Sequence, residues 1–128
     1  MTITVLTPIS VGELLDKITI LELKQDRIQD PAKRSNILEE LVQLTRILDK
    51  LTLPNTQEID TLRVELSQIN ADLWWIEDHK RACEKTQQFD AAFLRSARQV
   101  YLKNDQRARI KRQINLLSGS TIVEEKSY

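Results

Sequence analysis

The spacing of apolar residues predicts that this chain is helical along most of its length. Near the N-terminus, Ser10 and Glu13 have the arrangement of a capping box, which marks the first residue of a helix. The apolar positions that follow recur three and four residues apart and so share one helix face. They are Val11, Leu14, Leu15, Ile18, Leu21 and Ile28. The pattern predicts a first helix over about residues 10–29.

Two further helices follow from the same periodicity, over about residues 31–52 and 56–86. The second begins at Asp30-Pro31, an N-cap followed by proline at the first helical position. Asn55 with Glu58 is expected to cap the third. The third helix carries an uninterrupted heptad seam, typical of a long helix packed in a bundle. Its apolar positions are Ile59, Leu62, Leu66, Ile69, Leu73 and Ile76.

The last third of the chain predicts two shorter helices, over about residues 90–103 and 105–118. Its apolar face would rotate by roughly 100° if one straight helix ran through it. A break is therefore predicted near Asn104-Asp105, with Gly119 ending the final helix. The termini alternate as strands do, which predicts a short two-stranded pair between residues 2–6 and 120–123.

Composition supports an all-α fold in a single domain over residues 1–128. The chain is 41% hydrophobic and 30% charged, with two glycines and three prolines, which favours helices over a turn-rich β fold. We expect an antiparallel bundle of four to five helices. Cys83 is the only cysteine, so no intrachain disulfide can form, and a cytoplasmic location is expected. No apolar run approaches the roughly 18 residues that span a bilayer, so no membrane partner is expected.

Glu22 is the least expected residue on the first apolar stripe. It follows Ile18 by four positions, so it should share the buried face, where a charge needs a partner. We expect a semi-buried interhelical polar network that fixes helix register or lines a small pocket. Its candidate members are Glu22, Arg63, Glu77, Arg81, Arg107 and Lys111. The alternative is that the charges at the end of the long helix form a solvated surface with only weak i,i+4 pairs.

The region from Ala91 to Gly119 is strongly basic. It contains seven lysines and arginines against one acid, Asp105, whereas the whole chain has a net charge of zero. The cations are scattered around the helix, and Tyr101 is the one aromatic residue between the first of them, Arg95, and the last, Arg112. This pattern disfavours nucleic-acid binding and favours docking of the basic region against acidic helices.

Other chemistry is poorly supported by the sequence. His79 has no second histidine or cysteine at the spacing of a zinc site, so no metal and no cofactor are predicted. Glu13 and Asp16 form a carboxylate pair of the kind that Mg²⁺ accepts, although capping already accounts for Glu13. No catalytic residue is identified. Self-association is predicted instead, because the side chains of Ile20, Leu23 and Trp75 point away from the seams.

Two resemblances accompany these patterns. The whole chain resembles a family of small bacterial proteins known only as a domain of unknown function. The likeness lies in residues 12–22, in Trp75-Ile76-Glu77-Asp78 with Arg81, in Tyr101 and Asn104 through Asn115, and in residues 124–128. Residues 62–73 are similar to the opening helix of the all-helical chorismate mutases. There an arginine, matched by Arg63, holds a substrate carboxylate, and Lys80 stands where a further cation is expected. Ala91 replaces the lysine that should follow.

The favoured function is that of an oligomeric interaction or small-ligand binding module. The first alternative is a small enzyme that acts on an anionic metabolite by electrostatic positioning, with Arg63, Glu77, Arg81, Arg107 and Lys111 around the site. The second is a nucleic-acid-binding adaptor.

Overall fold

The structure, a computed structural model, describes residues 1–128 and contains four α-helices and no strand. They are α1 (Val11–Arg27), α2 (Pro31–Asp49), α3 (Thr56–Thr86) and α4 (Ala91–Ser118). The predicted all-α class is confirmed, and α3 has the bounds expected from its heptad seam. None of the four is long and apolar enough to cross a bilayer.

Three helix ends form as their sequences predict. Ser10 Oγ accepts a hydrogen bond from the Glu13 backbone N–H at 3.1 Å, and Asp30 Oδ2 accepts one from Lys33 N–H at 3.0 Å. Gly119 follows α4 with φ +70°, the left-handed conformation in which glycine is favoured. These local signals act over a few residues and do not depend on packing.

Asn55 does not cap α3 with its side chain. It adopts a left-handed conformation, with φ 55°, and makes no side-chain bond to the helix N-terminus. Its Nδ2 donates instead to the Leu117 carbonyl at 2.8 Å, which ties the loop before α3 to the last turn of α4. A tertiary bond has therefore replaced the expected local one.

The helices pack around α1. The two longest, α3 and α4, form a hairpin, and α1 lies against both, whereas α2 approaches α1 alone among the helices. One apolar cluster joins α1, α3 and α4. Its buried members are Leu15, Ile59, Leu66, Ile69, Ile110 and Ile114.

The break predicted near Asn104-Asp105 is absent, because α4 is one continuous helix. Its apolar face rotates because the helix changes neighbour. Ser96 and Lys103 contact side chains of α3, whereas Arg107 and Lys111 contact side chains of α1. A straight helix that packs against different partners along its length needs no break to reorient its buried face.

The predicted two-stranded pair is also absent, since residues 2–6 and 120–123 form no strand. The two terminal regions meet through a helix cap instead. Ser120 Oγ accepts a hydrogen bond from the Val11 N–H at 3.2 Å, which satisfies a donor at the start of α1. An isolated pair of strands is marginal in water, and nothing here covers the side chains of Ile3 and Val5, which remain exposed.

Candidate functional site

A buried polar stripe lies along α1. Gly12, Asp16 and Thr19 recur at helical spacing and are all buried. Glycine is required at the first position because α4 comes very close. A Cβ atom there would lie 2.5 Å from the Lys111 carbonyl oxygen and 2.8 Å from Asn115 Oδ1. The stripe is therefore the surface through which α1 meets α4.

Asp16 is the centre of this stripe and has only 1% of its surface exposed. Arg107 of α4 donates to both carboxylate oxygens, with Nε 3.0 Å from Oδ1 and 3.2 Å from Oδ2, and its Nη2 also bonds Oδ2. Asn70 Nδ2 of α3 donates to Oδ1 at 2.9 Å and lies 3.1 Å from Thr19 Oγ1. One carboxylate thus connects three helices.

The surroundings of Asp16 favour its charged form. Burial alone would raise the pKa of its carboxyl group, but hydrogen bonds from Arg107 and Asn70, with the positive charges of Arg107 and Lys111, hold the pKa below its ordinary value of 3.8. The bond to Asp16 raises the pKa of Arg107 against the opposing effect of burial. Both groups are charged at neutral pH, and each compensates the other for lost hydration.

Lys111 extends the network toward the C-terminus. Its Nζ lies 2.6 Å from Glu13 Oε2, 3.6 Å from Asp16 Oδ2 and 3.8 Å from Glu124 Oε1. One turn further, Asn115 Oδ1 accepts the Gly12 backbone N–H at 2.6 Å. The carboxylate of Glu13, expected to complete a capping box, binds Lys111 instead.

A cleft of about 290 Å³ opens beside Lys111 and Asn115, between the second half of α4 and residues 124–128. Most of its lining is charged: Asp105, Arg109, Lys111, Arg112, Glu124, Glu125 and Lys126, with Ala108, Asn115 and Tyr128 completing it. Lys111 and Asn115 belong both to its lining and to the network around Asp16.

The structure divides the six sequence-predicted site residues into separate groups. Arg107 and Lys111 belong to the network around Asp16, whereas Glu22 pairs with Arg63 at 3.1 Å on the surface. Glu77 pairs with Lys80, its neighbour on α3, at 3.6 Å. Arg81 is exposed and makes no ion pair. These six side chains are therefore not joined in one set of ion pairs.

The expected burial of Glu22 is not observed, since about half of its side chain is exposed. The reason is the position of α2. Because α2 does not approach α3, no helix covers the groove between them, and solvent reaches the stripe of α1 at Glu22. Helical periodicity predicted correctly which way the Glu22 side chain points. It could not show that no other helix covers that side of α1.

Asp16, Asn70 and Asn115 were not selected as site residues from the sequence. A signal was present in α1, where the small and polar residues Gly12, Asp16 and Thr19 share a face at spacings of four and three. Asn70 and Asn115 carried no comparable signal, because single asparagines on long helices are ordinary. Their contacts depend on how three helices meet.

Four of the seven cations in the basic region of α4 pair with acids of other elements. Lys103 pairs with Asp72 at 3.1 Å, Arg107 and Lys111 pair with acids of α1, and Arg112 pairs with Glu125 at 2.9 Å. This arrangement agrees with the expected docking of basic against acidic segments.

A second notable surface lies on the side of Trp75. Arg27 of α1 places its guanidinium carbon 5.4 Å from the Trp74 ring centre and 5.3 Å from that of Trp75. Its Nη1 is buried and has no hydrogen-bond acceptor. Trp75 itself is 67% exposed. Ile20 and Leu23, two turns and one turn before Arg27, are half-buried on the same face of α1.

His79 is exposed, with Nδ1 2.7 Å from Ser96 Oγ and Nε2 3.6 Å from the sulfur of buried Cys83. No group of three or more His, Cys, Asp or Glu side chains is arranged to hold a metal ion.

The chain belongs to DUF6165, a family of unknown function, which matches residues 5–128. The match confirms the resemblance of the whole chain to a domain of unknown function, and it includes the C-terminal segment that borders the cleft. No curated protein matches the chain, and no solved structure does so.

Proposed function

We propose that this protein is a cytoplasmic interaction module that acts as a homo-oligomer, and that the Trp75 face forms the contact between copies. The Trp75 face comprises Ile20, Leu23 and Arg27 of α1 with Trp75 of α3. The observation that carries the proposal is the large surface that one chain leaves exposed.

The solvent-accessible surface of the chain is 8994 Å². A folded monomer of 14.9 kDa is expected to expose about 7,000 Å². The excess of roughly 2,000 Å² exceeds the approximately 800 Å² that each partner buries in a standard protein interface. Part of it belongs to the extended residues 1–9, but the helices contribute as well, since only Ile37 of α2 is buried. A second chain would remove such surface from water.

The composition of the Trp75 face suits an interface. Tryptophan and arginine are the residues that most often dominate binding energy, and here they are already stacked, which limits the entropy lost on binding. Burying the exposed two thirds of the Trp75 surface gives such a contact its apolar centre.

The charges around this face favour a second copy as the partner. Asp26 and Asp78 flank Arg27 and Trp75 in sequence, are exposed, and make no ion pair within the chain. A two-fold interface places a patch against itself, so the exposed acids of one copy are available to pair with Arg27 of the other. The patch therefore carries both halves of a charge-complementary contact.

Sedimentation velocity on the full chain, from about 1 μM to about 1 mM, tests the proposal over the range of ordinary self-association constants. Trp75→Ala is expected to weaken association at least tenfold, as the loss of an interface hot spot does. Leu94→Ala is the matched control, because Leu94 is 61% exposed but lies on α4. Both tryptophans belong to this region, so their fluorescence should shift to the blue as the complex forms.

A chain that remains monomeric throughout this range would refute the proposal. So would association that Leu94→Ala and Trp75→Ala weaken equally, since the contact would then not depend on the Trp75 face.

A further inference from the structure

We propose that the cleft between α4 and residues 124–128 is a binding site for a small oxyanion ligand, a molecule bearing a phosphate or carboxylate group. The proposal does not depend on self-association. It is based on the unpartnered amide nitrogen of a largely buried asparagine, on the charges that α4 contributes, and on the way the chain's own carboxylates occupy the cleft.

Asn115 provides a hydrogen-bond donor with no partner in the protein. The residue is only 2% exposed, and its Oδ1 accepts the Gly12 N–H. Since a backbone N–H can only donate, this bond fixes which side of the amide carries the oxygen and leaves Nδ2 on the other. Nδ2 makes no hydrogen bond within the chain, and Asn115 lines the cleft. Because Arg27 Nη1 is the one fully buried polar side-chain atom without a partner, Nδ2 of the otherwise buried Asn115 is accessible and can donate to an acceptor from a ligand or water.

The α4 wall of the cleft is positively charged. It carries Arg109, Lys111 and Arg112 against a single acid, Asp105, and of these three cations Lys111 is also paired with Glu13 and Asp16 of α1. Arg109 is exposed and makes no ion pair, so its guanidinium is free to bind a ligand. Arginine and lysine side chains converging with an amide N–H are the groups that proteins use to bind oxyanions.

The C-terminal segment shows that this wall accepts carboxylates. Glu125 Oε1 lies 2.9 Å from Arg112 Nη1, and Glu124 Oε1 lies 3.8 Å from Lys111 Nζ. Glu125 is largely exposed and Glu124 is partly exposed, so each contact is weak and readily exchanged. A ligand oxyanion that bound Lys111, Arg112 and Asn115 would compete with these two carboxylates.

The size of the cleft limits the ligand. A volume of about 290 Å³ is at the lower end of ligand pockets, which hold roughly 300 to 1,000 Å³. The site therefore suits a small anion, not a nucleotide or an oligomeric chain.

Isothermal titration of the full chain with inorganic phosphate, and separately with succinate, tests the site at constant ionic strength set with chloride. We expect saturable binding of at least one probe, and the comparison shows whether phosphate or carboxylate is preferred. Arg109→Ala should weaken binding at least tenfold, as the loss of a charged hydrogen bond does. Arg95→Ala is the matched control, since Arg95 is exposed on the same helix but outside the cleft.

Two more variants examine the rest of the site. Asn115→Asp keeps an oxygen for the Gly12 N–H but replaces the donor with a negative charge, so binding should be lost while circular dichroism shows a folded helical protein. Glu124→Gln combined with Glu125→Gln removes the internal competitors and should tighten binding. The proposal is overturned if neither probe binds, if Arg109→Ala and Arg95→Ala bind alike, or if the double glutamine variant binds no better than the parent.

Discussion

Asp16 on α1 and Arg107 on α4 lie 91 residues apart in sequence, yet the guanidinium donates to both oxygens of the carboxylate. The pair is the centre of a polar network that connects α1, α3 and α4. Its consequences for stability can be measured directly.

Replacing Asp16 with asparagine should destabilise the protein by about 3 kcal/mol, because it leaves the Arg107 charge without its counter-ion in a largely buried site. That corresponds to a fall in Tm of about 10 °C for a chain of this size. Urea denaturation monitored by circular dichroism measures the change. Asp72→Asn is the control. Its partner Lys103 is 3.1 Å away in a more exposed pair, and the expected cost is at most about 1 kcal/mol. Equal effects of the two substitutions would contradict the central role of Asp16.

The same pair predicts a dependence of stability on pH. The folded-state pKa of Asp16 is lowered below 3.8, so between the folded value and 3.8 the unfolded chain binds more protons. The contribution of Asp16 is therefore complete above the unfolded pKa and is lost as pH falls through the folded pKa. The difference in unfolding free energy between the parent and Asp16→Asn should be constant near neutrality and shrink below about pH 4. A difference that grows on acidification would refute this assignment.

Gly12→Ala should destabilise the protein, although alanine in a helix is ordinarily better than glycine by about 1 kcal/mol. The added Cβ would lie 2.5 Å from the Lys111 carbonyl, which belongs to the α4 backbone and cannot rotate away. Separating α1 from α4 should cost about 2 kcal/mol or more, as overpacking of a close contact does. Thermal unfolding measures it. Gly119→Ala is the comparison. No atom lies near the Cβ that this substitution adds, so only the left-handed φ opposes it, at a cost in stability of about 1 kcal/mol. A stabilised Gly12→Ala variant would contradict the close approach of α1 and α4 at this position.

Glu22→Ala should change the unfolding free energy by no more than about 0.5 kcal/mol, because its ion pair with Arg63 is exposed on both sides. The result contrasts with that expected for Asp16, six residues earlier on the same helix. Chemical denaturation of both variants under identical conditions makes the comparison. A loss as large as that of Asp16→Asn would show that Glu22 is buried in solution.

The sequence by itself determined the elements of this protein. Periodicity and capping residues gave α1, α2 and the full extent of α3, because these signals act between residues a few positions apart. They also gave the helical character of the last third, but divided the single helix α4 in two. The Ser10 and Asp30 caps and the Gly119 terminus formed as expected for the same reason. The sequence also identified Arg107 and Lys111 as cations directed at other helices.

Tertiary structure alone decided which of the charges meet. Glu22 and Asp16 both lie on faces of α1 directed at other elements, but α2 leaves one side open to solvent, whereas α4 closes over the other. Likewise, only the structure showed that α4 is one continuous helix that changes neighbour along its length. Asn55 and Asn115 form hydrogen bonds with partners 62 and 103 residues away in sequence, which no local pattern could predict. Local patterns fix the direction of a side chain, but its burial and its partners depend on the arrangement of whole helices in space.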